Sequence, residues 1–241
     1  MIEARSLTKK YGATVAVDGL SFRVEPGLVT GFLGPNGAGK STTMRMVMGL
    51  DRPTDGTAII AGRAYRDLTN PLREVGALLD AAAVHPGRRA HDHLLALARS
   101  NGIARGRVGA VLDQVGLSTV AGRRVGTFSL GMRQRLGIAA ALLGDPPVLL
   151  FDEPINGLDP EGIAWIRQLM RTLAAEGRTV FLSSHLMSEM EDTADRLVVI
   201  GSGRLVAETS LAEFIESGTR AAVRTLDNPY VHRRSPVSDV V

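Results

Sequence analysis

Eight consecutive residues, Gly34-Pro35-Asn36-Gly37-Ala38-Gly39-Lys40-Ser41, satisfy the pattern G-x-x-x-x-G-K-[ST]. Glycines let such a loop curl until its N–H groups point inward, and the start of a following helix adds a partial positive charge, so the segment suits a phosphate chain. In that setting Lys40 lies along the β- and γ-phosphates of a nucleoside triphosphate, the Ser41 hydroxyl ligates Mg²⁺, and Thr42 continues the cradle into the helix. A plain glycine turn ahead of a helix would explain the glycines alone, but not the Lys-Ser pair that follows them. No G-x-G-x-x-G occurs in the loop, which argues against a dinucleotide site.

A second cluster closes the apolar run Val148-Leu149-Leu150-Phe151 with Asp152 and Glu153. A buried parallel strand would deliver both carboxylates to its C-terminal edge, where α/β folds bind ligands. Asp152 is then placed to hold Mg²⁺ and Glu153 to orient and deprotonate an attacking water. Acidic pairs after strands also serve as helix caps or solvent-facing turns.

Between these two clusters stands Phe128-Ser129-Leu130-Gly131-Met132-Arg133-Gln134-Arg135, and after them come Asn156-Gly157-Leu158-Asp159 and Ser183-Ser184-His185. In this order the motifs resemble the signature, D-loop and switch histidine of the ATP-binding cassette (ABC) ATPases, and the resemblance runs from about Ile2 to Leu211. It implies that ATP and Mg²⁺ are the cofactors and that Lys40, Glu153 and His185 carry hydrolysis. It also implies that Ser129 and Gly131, with Asp159, meet ATP held by a second copy or a similar ATPase. Ser129 at a helix start is equally suited to capping that helix. Tyr11 resembles the aromatic residue that stacks on adenine, with packing at the sheet edge as the alternative.

Three positions depart from the family pattern. Leu130 stands where the signature has its first glycine, and Met132 where it has glutamine. Aspartate replaces glutamine at Asp80, after Val75-Gly76-Ala77-Leu78-Leu79; its carboxylate is a candidate for water-mediated Mg²⁺ binding but adds negative charge beside the phosphates. Ala81 to Val84 then reads either as part of a groove for a membrane partner or as core packing.

The elements that must hold these residues follow from periodicity. Ile2 to Val24 alternates apolar and polar residues in two runs broken at Tyr11-Gly12, which predicts an antiparallel pair at the edge of the sheet. Strands are expected over Val29–Leu33, Thr57–Ala61, Val75–Leu79, Val148–Phe151, Thr179–Ser183, Leu197–Ile200 and Arg204–Glu208. Helices are expected over Ser41–Leu50, Ala90–Ser100, Arg105–Val115, Ser129–Leu143, Pro160–Glu176 and Met187–Ala194. The class is α/β: a P-loop NTPase core with a largely parallel sheet, an N-terminal antiparallel β subdomain and a helical signature subdomain inserted at roughly 81–145. The ATPase domain would occupy 1–218 and a poorly ordered or divergent tail 219–241, where Pro229 and Pro236 interrupt scattered charge.

Composition excludes several other classes. With 44 % hydrophobic and 22 % charged residues the 241-residue chain is globular, and without cysteine it has no disulfide, thiolate metal site or cysteine nucleophile. The apolar stretches Leu136–Gly144 and Val148–Phe151 fall short of the ~18 to 20 residues that cross a bilayer, and the first ten residues lack a signal core. The net charge of +3 belongs largely to the tail, with Arg220, Arg224, Arg233 and Arg234 against Asp227 and Asp239, so no nucleic-acid partner is expected. His85, His91 and His93 lack the spacing and company of a metal set, and Trp165 reads as a packing residue. The expectation is a cytoplasmic ATPase, peripheral on the inner face of the membrane. It would dimerise on Mg-ATP and power a separately encoded permease, exporting a drug, an antibiotic or a lipid. The alternative is a nucleotide-gated module acting on nucleic acid or ribosomes, although the long coiled-coil insertions and tandem cassettes of such relatives are missing.

Overall fold

A computed structural model of the chain describes residues 1–216. At its centre Val29–Leu33 (β3) is an unbroken apolar run with every residue buried, the signature of a strand covered on both faces. It pairs in parallel with Thr179–Ser184 (β7) on one side and Arg196–Gly201 (β8) on the other. Val148–Phe151 (β6) and Val75–Leu78 (β5) extend the sheet beyond β7, and Arg204–Ser210 (β9) closes the other edge, giving the order β5-β6-β7-β3-β8-β9. Only β9 runs antiparallel. Its connection to β8 is Ser202-Gly203, both at positive φ, and a link that short permits a hairpin but no crossover.

Ile2–Tyr11 (β1) and Thr14–Val24 (β2) do pair antiparallel, but they do not edge the main sheet as the sequence suggested. They form a separate sheet with Asp55–Ile60 (β4), in the order β2-β1-β4. The reason lies in β2, where Val17, Leu20, Phe22 and Val24 are buried with exposed residues among them, so one face must lie on another layer. Phe22 supplies that contact: its ring lies 5.5 Å from those of Phe32 and Phe181 in the main sheet. The helix Lys40–Val47 (α1) shares this core through Met44, Met46 and Val47. It stops three residues before the expected Leu50, at the left-handed Gly49.

The opposite face of the sheet packs on helices. Ala90–Ser100 (α3), Gly106–Gln114 (α4) and Leu130–Leu142 (α5) intervene between β5 and β6, preceded by the single turn Pro71–Glu74 (α2). α5 reaches the sheet closely because a side chain at Gly76 would collide with the Ala141 carbonyl, and one at Gly137 with Leu78. Pro160–Ala175 (α6) and Met187–Glu191 (α7) complete this layer. Leu211–Glu216 (α8) was not anticipated. Its signal was present: Ser210 and Glu213 form a reciprocal capping box, with Glu213 N–H donating to Ser210 Oγ and Ser210 N–H to Glu213 Oε2. The tail assigned to 219–241 lies outside the described residues. Among the described residues no helix is long and apolar enough to cross a membrane.

Candidate nucleotide site

The loop after β3, the carboxylates after β6 and the histidine after β7 all leave the C-terminal ends of adjacent strands. Gly34 is buried at the exit of β3, where a Cβ would lie 2.5 Å from the Ile200 carbonyl oxygen. Gly39 has φ 102° and would carry its Cβ to 2.5 Å from the Ala16 carbonyl, so neither glycine admits a side chain. Ala38 shapes the loop from within: its N–H donates to Pro35 O and its carbonyl accepts from Gly203 N–H. Asn36 and Gly37 form the exposed lip.

Lys40 is the first residue of α1, yet its side chain is 5 % exposed and folds back over the loop. Nζ donates to Gly34 O at 2.6 Å and Pro35 O at 3.2 Å, and lies 3.7 Å from Glu153 Oε1. A buried ammonium is costly unless its donors are engaged, and here it is held in the mouth of the loop. α1 has no acidic residue in its first turn and no side-chain cap, so its positive end is left for an anion. Ala16, Asn36, Gly37, Gly39, Lys40, Ser41, Thr42 and Glu153 line the concavity above it.

Glu153 has φ 47°, a left-handed conformation that a non-glycine residue adopts at a cost of roughly 1–3 kcal/mol. Its carboxylate is the hub of the site: Oε2 accepts from Asn156 Nδ2 at 2.7 Å and lies 3.1 Å from His185 Nδ1. Ser183, buried at the end of β7, donates to Asp152 Oδ1 at 2.5 Å and accepts from Glu153 N–H at 2.9 Å. The register places Leu182 opposite Phe151, which sets Ser183 beside Asp152. Sequence reasoning gave Ser183 no role, although a small polar residue ending an apolar strand was its signal.

The exposed Ser41 hydroxyl and the Asp152 carboxylate offer hard oxygen ligands at the same mouth, a donor set that suits Mg²⁺. Asp80 follows the neighbouring strand end of β5, where Leu78 O accepts from Asp152 N–H at 2.8 Å. Its Oδ1 accepts from Ala82 N–H at 2.7 Å in an exposed turn. Among the described residues no three His, Asp or Glu side chains are grouped for a metal. His85 Nδ1 accepts from Gly87 N–H, while His91 pairs with Asp92.

Residues 17–156 match the family described as ABC transporter. The chain belongs to the ABC transporter family. A bacitracin transport ATP-binding protein of Enterococcus faecalis is 41 % identical over 216 residues, 88 % of this chain and 70 % of that one. A lantibiotic transport ATP-binding protein of Streptococcus pyogenes is 36 % identical over 86 % of this chain and 90 % of its own length. Among solved structures, a dimeric post-hydrolysis ATP-binding cassette bound to ADP and Pi is 26 % identical. Its TM-score is 0.78, over 88 % of this chain and 99 % of that one.

Ser129, Gly131 and Asp159 of this ABC cassette are not in the lining of the mouth. Ser129 caps α5, its Oγ accepting from Met132 N–H at 3.1 Å, and α5 likewise has no acidic residue in its first turn. Gly131 packs on the D-loop, where a Cβ would lie 2.9 Å from Gly157 O, and Leu130 covers Gly157 from the other side. Asp159 caps α6, accepting from Gly162 N–H at 2.8 Å. Trp165 packs under Arg135, whose guanidinium carbon is 4.3 Å from the ring centre. Tyr11, half exposed at the end of β1, donates to Asp51 Oδ2 at 3.1 Å, with the Lys9 ammonium 4.9 Å from its ring centre. Burial of the hydroxyl and the adjoining Asp51 carboxylate raise its pKa, which keeps it a donor.

Proposed function

We propose that this ABC cassette binds and hydrolyses Mg-ATP as one of two paired subunits and drives a separately encoded membrane permease that exports a peptide antibiotic. The arrangement of Lys40, Glu153 and His185 around one mouth carries this reading. Lys40 is drawn to the β- and γ-phosphates with the loop amides of Gly34 to Ser41 around them, and the Tyr11 ring is placed for the adenine. Glu153 accepts the proton of the attacking water at its carboxylate. His185 fixes the orientation of that carboxylate and donates to the γ-phosphate. Mg²⁺, held by Ser41 and Asp152, neutralises phosphate charge when bound.

Ser129, Gly131 and Asp159 are not in the lining of this mouth, and we assign them to the nucleotide of a second subunit, a role that the dimeric state of a related cassette supports. ATP then bridges two chains, and its hydrolysis removes the bridge. Association with a permease would make the chain peripheral to the membrane. The names of the bacitracin and lantibiotic relatives favour an antibiotic cargo over a nucleic-acid or ribosome module.

Removing the gene from its native cell is expected to sensitise the cell to bacitracin or to a lantibiotic. The wild-type chain should restore resistance and Lys40→Ala should not, as read by minimal inhibitory concentration. Unchanged sensitivity to both classes would overturn the cargo assignment and leave the ATPase reading to the measurements below.

A further inference from the structure

Among the buried positions of α5, Gln134 stands out in chemistry. Leu136, Ile138, Ala139, Ala141 and Leu142 are apolar, whereas Gln134 carries an amide at 5 % exposure. Its Oε1 is buried without a hydrogen-bond partner among the described residues, so the side chain is not there for its own solvation. What it does make is one directed bond: Nε2 donates to the Glu153 carbonyl oxygen at 3.2 Å. That carbonyl belongs to the residue held at φ 47°.

Bonds from several elements fix Glu153, and its carbonyl accepts twice, from Asn156 N–H within its own turn at 3.2 Å and from Gln134 on α5. Ser183 on β7 accepts its N–H, Asn156 Nδ2 and His185 meet its carboxylate, and Gln134 is the one side chain that donates to its carbonyl from outside the turn. A left-handed residue persists only when its surroundings over-determine it. The α5 bond differs from the others in origin, because α5 is capped by Ser129, five residues before Gln134. It is also packed hard against β5 through Gly137 and Gly76.

We infer that Gln134 is a positioning residue for Glu153: its amide locks the left-handed peptide that aims the carboxylate, and so ties the base to the helix that carries Ser129. The inference rests on the assignment of Glu153 as the base. It adds a residue that touches neither nucleotide nor water.

The test compares the full-length chain with Gln134→Leu and Gln134→Met, which fill the space without a donor, and with Glu153→Gln alone and combined. Phosphate release by either Gln134 variant should fall about ten- to a hundredfold in kcat. KM for ATP and the thermal midpoint should stay close to wild type, since the loop and Lys40 are untouched. In single-turnover experiments Gln134→Leu should add little to Glu153→Gln, because a base already removed cannot be misaimed. Mere loss of packing would instead lower the midpoint and multiply with Glu153→Gln. Wild-type kcat in both Gln134 variants, or full multiplication in the double variant, overturns the inference. If Glu153→Gln itself turns over normally, the base assignment fails and not Gln134 alone.

Discussion

Glu153→Gln is expected to lower the rate of phosphate release by about 10²- to 10³-fold while leaving ATP affinity within a few-fold of wild type. The substitution keeps the shape of the side chain. Glutamine can still receive the Asn156 amide and sit beside His185, so the left-handed turn and its neighbours should survive. What it loses is the carboxylate assigned to take a proton from water at this mouth. The Lys40 ammonium at 3.7 Å from Oε1 would also lose a counter-charge, which frees it for phosphate and favours the bound state. With binding intact and turnover blocked, ATP should hold two chains together. Light scattering in Mg-ATP should then report a doubled mass for the variant, and ordinary turnover would remove Glu153 from the role of base.

Lys40→Ala is expected to act earlier, on binding itself. The ammonium is positioned by two loop carbonyls at 2.6 and 3.2 Å, and in the complex it exchanges these for phosphate oxygens. A charge-assisted hydrogen bond contributes about 1.5–3 kcal/mol, so its loss should weaken ATP binding by roughly ten- to a hundredfold. Turnover at saturating ATP should fall as well, because the charge also faces the γ-phosphate as it leaves. Binding of a fluorescent ATP analogue is the direct readout. An affinity equal to wild type would contradict the placement of the phosphate chain in this loop.

The features that proved legible in sequence are those whose chemistry is local. Gly34 to Ser41 declares itself because every requirement, from positive φ to the reaching lysine, falls within eight residues. Asp152 and Glu153 follow a strand too apolar to be anything but buried. Long-range relations were harder to read. Nothing in β4 states that it leaves the main sheet to pair with β1, since its own burial is only partial and its partner lies some fifty residues earlier. The central place of β3 between β7 and β8 is likewise a property of pairing between distant segments.

The same limit hid parts of the site. Gln134 lies in a helix whose function was read from Ser129 and Gly131, and its partner is a main-chain carbonyl across the boundary with the sheet. A side chain that bonds to backbone leaves no trace in the identity of the residue it serves. Ser183 was visible as a residue but not as the clamp between Asp152 and Glu153, because that role depends on strand register. Asp80 is a further case. Its position after β5 is as the sequence indicated, and its Oδ1 accepts from Ala82 N–H, a turn bond that the identity of the residue did not announce.

The most direct test of the nucleotide site is calorimetric titration of the purified wild-type chain with ATP in the presence of magnesium. Saturable heat is expected, with one nucleotide bound per chain at micromolar to sub-millimolar ATP. The absence of any association up to millimolar ATP would contradict a triphosphate seated on Gly34 to Ser41, and with it every role assigned to Lys40, Asp152, Glu153 and His185.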